Sequence, residues 1–119
     1  MTPALLTNKG TFNAVPILEE KLGGIRALCQ VFHVLQLDAF GAIIDDDFDP
    51  SHDVASFVIK SEPANVRVQY ERFFGLLQGL EVLLECRIDL IDYKALIERS
   101  IVQQVPEDRL PVYVAKKQA

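Results

Sequence analysis

Five aspartates crowd the stretch FGAIIDDDFDPSHDVASFVIK, which runs from Phe40 to Lys60 and holds no basic residue before its last position. Gathered carboxylates are the ligands that hard divalent cations such as Mg²⁺ and Ca²⁺ prefer. Asp53 opens DVASFVIK, which reads as a strand, and Asp89 lies near the start of a second strand, RIDLI. Side chains alternate between the faces of a strand. Asp53, Ala55, Phe57 and Ile59 therefore share one face, and Arg87, Asp89 and Ile91 share another. Neighbouring strands could bring Asp53 and Asp89 together over the open side of a sheet, and two or three carboxylates there would bind Mg²⁺. Asp45, Asp46, Asp47 and Asp49 form a second oxygen-rich group, but they lack the regular ligand spacing of a calcium loop, and a solvated acidic loop is the simpler reading. Asp38 stands inside the first strand, either on an exposed sheet face or in place of a missing metal ligand. His52 is adjacent to Asp53 but belongs to no partner pattern, so it reads as a surface residue rather than a base or ligand. His33 reads as a packing or capping residue. No Ser-His-Asp set, Cys-His pair, P-loop or GxGxxG stands out.

The elements that position these residues follow from periodicity. Residues 1–12 read as an arm, 13–115 as one domain and 116–119 as a solvated tail. Asn13 can cap a helix that tolerates Pro16 in its first turn. Leu18, Leu22, Ile25, Cys29 and Phe32 then recur at steps of 4, 3, 4 and 3, one helical face. Gly23 and Gly24 interrupt that pattern and predict a bend or a close approach. VLQLDAF (Val34 to Phe40) reads as a strand ended by Gly41, and Asp53 to Lys60 as the next. After a turn at Pro63 and Asn65, a long helix is expected from about Val66 to Glu85, with its stripe at Val66, Tyr70, Phe73, Leu77, Leu80 and Leu84. Phe74 and Leu76 flank that stripe and would leave a second apolar strip open to a protein partner. Arg87 to Ile91 makes a third strand. Asp92 caps a helix over about 93–104 that buries Leu96, Ile97 and Ile101 and stops at Pro106. LPVYV (Leu110 to Val114) is an edge strand, where alone its Pro111 is tolerated. The expected class is α/β, a mixed sheet with helices packed mainly on one face.

The bulk numbers exclude several classes. The chain has 119 residues, half of them hydrophobic, which suits one core. No apolar run reaches the roughly 18–20 residues of a membrane span, and the N-terminus lacks the pattern of a secretory signal. A net charge of −5 argues against non-specific nucleic-acid binding and is compatible with a basic protein partner. Cys29 and Cys86 have no metal-type spacing and read as reduced, buried thiols of a cytoplasmic protein.

The Phe40–Lys60 stretch resembles the signature of the DNA polymerase beta-like nucleotidyltransferases in their minimal, single-domain form. That family carries Gly-Ser, ten residues, Asp-x-Asp, and a third Asp on a later strand. Here Gly41-Ala42 is followed by ten residues, Ile43 to His52, and then Asp53-Val54-Ala55. Arg87-Ile88-Asp89-Leu90 is similar to the later strand, with Asp89 as the third acid. Phe40, Phe48-Asp49-Pro50 and Glu81 in the long helix agree as well, and the likeness spans roughly Leu18 to Val114. The resemblance implies a nucleotidyltransferase fold whose three acids hold two Mg²⁺ ions that clamp a nucleoside triphosphate for attack at its α-phosphorus. It also implies that the Gly41-Ala42 pair stands where the phosphate loop would be.

Three departures oppose that chemistry. Ala42 replaces the Ser, removing a hydrogen bond to phosphate that contributes about 1.5–3 kcal/mol. Ala55 replaces the second Asp, and a methyl group ligates no metal. A loss of about 4 kcal/mol of transition-state stabilisation slows a reaction roughly a thousandfold. Asp45, Asp46 and Asp47 stand where family members often carry Arg and Gly, and each would repel a triphosphate by about 2 kcal/mol at ~8 Å and an effective dielectric of ~20. The expectation is a degenerate nucleotidyltransferase-like protein. Asp53 and Asp89 would be catalytic remnants, and the chain would use no cofactor.

Minimal members of this family commonly pair with small helical HEPN proteins in prokaryotic toxin–antitoxin modules, as the antitoxin. The resemblance thus implies that the chain neutralises or regulates such a partner by contact alone, or forms a homodimer. The alternative is a weak Mg²⁺-dependent enzyme that transfers a nucleotide from a triphosphate to a protein or small-molecule acceptor.

Overall fold

The computed structural model describes residues 16–98 and 108–116. Helix α1 (Pro16–Val31) leads into strand β1 (Val34–Phe40), a single 3-10 turn (Gly41–Ile44) and strand β2 (Val54–Ser61). Helix α2 (Val66–Leu84), strand β3 (Arg87–Asp92), helix α3 (Tyr93–Glu98) and strand β4 (Leu110–Val114) follow. The strands form one mixed sheet in the order β3-β2-β1-β4. β1 is antiparallel to β2 and β4, and β2 is parallel to β3. The α/β class expected from the sequence is the one observed. β4 lies at an edge, and its Pro111 is exposed there.

α1 and α2 cover one face. Leu18, Leu22, Ile25 and Cys29 of α1 meet Leu76, Leu80 and Leu84 of α2 over Leu37, Ala55 and Phe57 of the sheet. The other face is covered in part by α3, whose Leu96 packs with Val58 against Phe40, Ile91 and Tyr93. Burial pushes the Cys29 thiol up to about 12, as expected for an uncharged group sealed in this core. Among the described residues no helix is long and apolar enough to cross a membrane.

Local chemistry accounts for most element boundaries. Pro16 is the first residue of α1, where its missing N–H costs nothing. His33 adopts φ 58° and ends the helix as a cap, and its carbonyl accepts the Glu62 amide at 3.1 Å. The Asn65 side chain accepts the Val68 amide at 2.9 Å and starts α2. Asp92 accepts the Lys94 amide at 3.0 Å and starts α3. Gly24 is a close approach rather than a bend: a Cβ there would lie 2.8 Å from Leu83 of α2.

Two apolar assignments differ from expectation. The expected α2 stripe holds at Phe73, Leu80 and Leu84, but Leu76 rather than Leu77 is fully buried, and Val66 and Tyr70 at the start of the helix are 81% and 65% exposed. The reason is that α2 is apolar over more than one face, and docking on α1 selects the phase. Leu76 therefore faces the core instead of sharing an outer strip with Phe74. In α3, Leu96 is buried as expected but Ile97 is 53% exposed. The Asn13 cap, the arm over 1–12, the end of the last helix with Ile101 and Pro106, and residues 117–119 of the tail lie outside the described residues.

Candidate functional site

The Gly41 loop is built from the backbone outward. Gly41 has φ 75°, a left-handed conformation that costs glycine nothing and other residues about 1 kcal/mol or more. It turns the chain out of β1 into the 3-10 turn, closed by the Asp45 amide donating to the Ala42 carbonyl at 3.0 Å. Ile43 is fully buried, and Ile44 and Phe48 pack on the same core, so the loop is pinned from beneath. Asp45, Asp46 and Asp47 project into solvent.

The remaining loop acids are consumed by the turn that enters β2. Asp49 Oδ1 accepts the Ser51 amide at 3.0 Å and the Ser51 hydroxyl at 2.7 Å. Asp49 Oδ2 lies 2.9 Å from His52 Nδ1. The Ser51 hydroxyl, then His52 and the Ser51 amide, hold the Asp49 carboxyl below its ordinary range. Asp53 closes the turn: its Oδ2 accepts the Asp49 amide at 2.9 Å, and its own amide donates to the Asp49 carbonyl at 2.7 Å. Ser51, His52 and Asp49 have the composition of a nucleophilic triad but not its geometry. Both Ser51 Oγ, at 3.0 Å, and Asp49 meet the same ring nitrogen of His52, whereas a triad places them on opposite nitrogens.

β2 and β3 are adjacent and parallel, but their register separates the two acids. Ser56 is level with Asp89, and Ala55 with Ile88. Asp53 precedes β2 in phase with Ala55, on the side of α1 and α2, whereas Asp89 lies with Ser56 on the opposite face. Ala55 is fully buried in the main core. The three positions of the acidic set are therefore a turn-closing carboxylate, a buried methyl group and an exposed strand acid. This donor set does not fit a shared Mg²⁺ ion, and among the described residues no three His, Cys, Asp or Glu side chains group in a way that could hold a metal. Beside Gly41 stands Ser56, whose Oγ would lie 3.8 Å from a Cβ at that glycine.

Asp38 corrects both readings made of it. It is buried, accepts Gln36 Nε2 at 2.9 Å, and forms an ion pair with Arg109 Nε at 3.1 Å. It is neither an exposed acid nor an open ligand. Arg109 also lies 5.9 Å from the centre of the Tyr93 ring, which Lys60 Nζ approaches at 4.6 Å. The sequence signal for this cluster is an acid in the middle of an apolar strand, which demands a cation. Nothing in the local pattern says which cation, because the pair spans 71 residues. A cavity of about 560 Å³ lies at the other end of β1, among Arg26, His33, Glu62, Tyr113 and Lys116, away from the Gly41 loop.

No family model, curated protein or solved structure matches the chain.

Proposed function

We propose that this chain is a catalytically degenerate nucleotidyltransferase-like protein that acts by binding a protein partner. The observation that carries the reading is the fate of the acidic set. Asp53 is engaged by the Asp49 amide, Ala55 is sealed in the core, and Asp89 faces the other side of the sheet. Metal-assisted phosphoryl transfer needs carboxylates that converge on one ion. The exposed Asp45, Asp46 and Asp47 add repulsion toward a polyanion. The resemblance of the Gly41–Asp53 stretch supplies the partner class: a small helical protein of the HEPN type, which the chain would regulate as an antitoxin does. The net charge of −5 favours a basic surface on that partner.

The test is incubation of the purified chain with Mg²⁺ and radiolabelled nucleoside triphosphates, with and without a HEPN-type protein. The expected outcome is no label on either protein and a complex that forms without nucleotide. Label transfer that requires Mg²⁺ would instead support the weak-enzyme alternative.

A further inference from the structure

We propose that the outward face of α2 is a self-association surface, on which a second copy of this chain lies antiparallel with Phe74 on a two-fold axis. This goes beyond the preceding reading and does not depend on it. On one side of α2, Tyr70 and Phe74 are 65% and 42% exposed, and the exposed Gln78 lies one further four-residue step along the helix. The Tyr70 and Phe74 rings lie 4.6 Å apart, centre to centre, and present one aromatic surface. Such a surface on a helix side already turned from the core is suited to burial against another protein.

The charges specify the occupant. Arg67 and Glu81 are both exposed and lie seven residues before and seven after Phe74. Seven-residue steps drift by only about 20° around a helix, so Arg67, Phe74 and Glu81 form one line along α2. A two-fold axis through Phe74 brings residues equally distant from it face to face. Arg67 then meets the partner's Glu81, and Glu81 meets the partner's Arg67. Phe74 packs on itself, and Tyr70 and Gln78 flank that line on its two sides. A parallel pairing would instead set each charge against its own kind. Arg67 already contacts Glu71 of its own chain at 3.3 Å while remaining largely exposed, so it can bridge both carboxylates. One face of a 19-residue helix offers less than the roughly 800 Å² per partner of a standard interface. The dimer is accordingly concentration-dependent, with a dissociation constant on the order of 10–100 µM.

Sedimentation velocity and light scattering on the purified chain, over roughly 1 µM to 1 mM, should show monomer giving way to dimer. Arg67→Glu or Glu81→Arg alone should raise the dissociation constant roughly tenfold. The two together should restore it, because the reversed charges match again. Phe74→Glu should leave the chain monomeric throughout while it still melts cooperatively, since its ring touches the core only through Phe73. A chain that is monomeric at every concentration, a dimer indifferent to Phe74→Glu, or a double reversal as weak as the worse single variant would each overturn the proposal. No nucleotide or second protein enters the experiment, so its failure leaves the hetero-association reading untouched.

Discussion

Asp53 and Asp89 have the same side chain and opposite circumstances. The first accepts a backbone amide at 2.9 Å and closes the turn into β2; the second is exposed on β3 and accepts no such bond from the described residues. Asp53→Ala is therefore expected to lower stability by about 1 kcal/mol, the value of one such bond. Asp89→Ala should stay within about 0.5 kcal/mol of the parent. Urea denaturation of the two variants checks this, and equal losses would contradict it. Ala55 makes a sharper case. Restoring the acid that the sequence motif lacks puts a carboxylate at a position of 0% exposure in the core. An unpaired buried charge costs several kcal/mol. Ala55→Asp should lose about 3 kcal/mol or more, read as a fall in melting temperature that Mg²⁺ does not reverse. Recovery on adding Mg²⁺ would show instead that the position faces a metal site.

At the scale of elements, the contrast between α2 and the β2–β3 pair explains which features the sequence made legible. The order of elements, the turn at Asn65, the Asp92 cap, the core face of α1 and the edge position of β4 all follow from local residues, and the structure has them; that Asn65 also caps α2 is seen only in the structure. The core face of α2 follows from local residues only from Phe73 onward: Leu80 and Leu84 are buried as the stripe expects, whereas the burial of Leu76 and the exposure of Val66 and Tyr70 depend on where α1 docks. The relation of Asp53 to Asp89 does not follow from them: alternation fixes which residues of one strand share a face, but not the register of the neighbouring strand, and a shift of one residue reverses the answer. Arg109 is the long-range case. It ties the start of β4 to Asp38 in the sheet centre, and no periodicity carries that information. Removing one partner of a buried pair strands the other charge. Arg109→Ala is expected to cost about 2–3 kcal/mol, somewhat below the fully buried case because the arginine is partly exposed. Asp38→Ala combined with Arg109→Ala should cost less than the sum of the two single changes. Additive losses in a denaturation cycle would contradict the pairing.

For the whole molecule, the candidate loop hangs from a sheet whose main core is closed beneath it. Ile43, Ala55 and Phe57 are all fully buried under α1 and α2, and the cavity beside the loop, about 410 Å³, lies between Asp49 and Ser51 of the turn and Glu20, Lys21 and Glu85 of the two helices. The resemblance to the nucleotidyltransferase signature rests on spacing alone, from Gly41 to Asp53 and on to Asp89. What spacing could not convey is where those side chains point once the strands pair. The most direct measurement is calorimetric titration of the purified chain with ATP in the presence of Mg²⁺. No saturable heat is expected at ligand concentrations on the order of 1 mM, where even an affinity of about 4 kcal/mol would register. A saturable isotherm that disappears when Mg²⁺ is chelated and when Asp53 or Asp89 is replaced by Ala would contradict it.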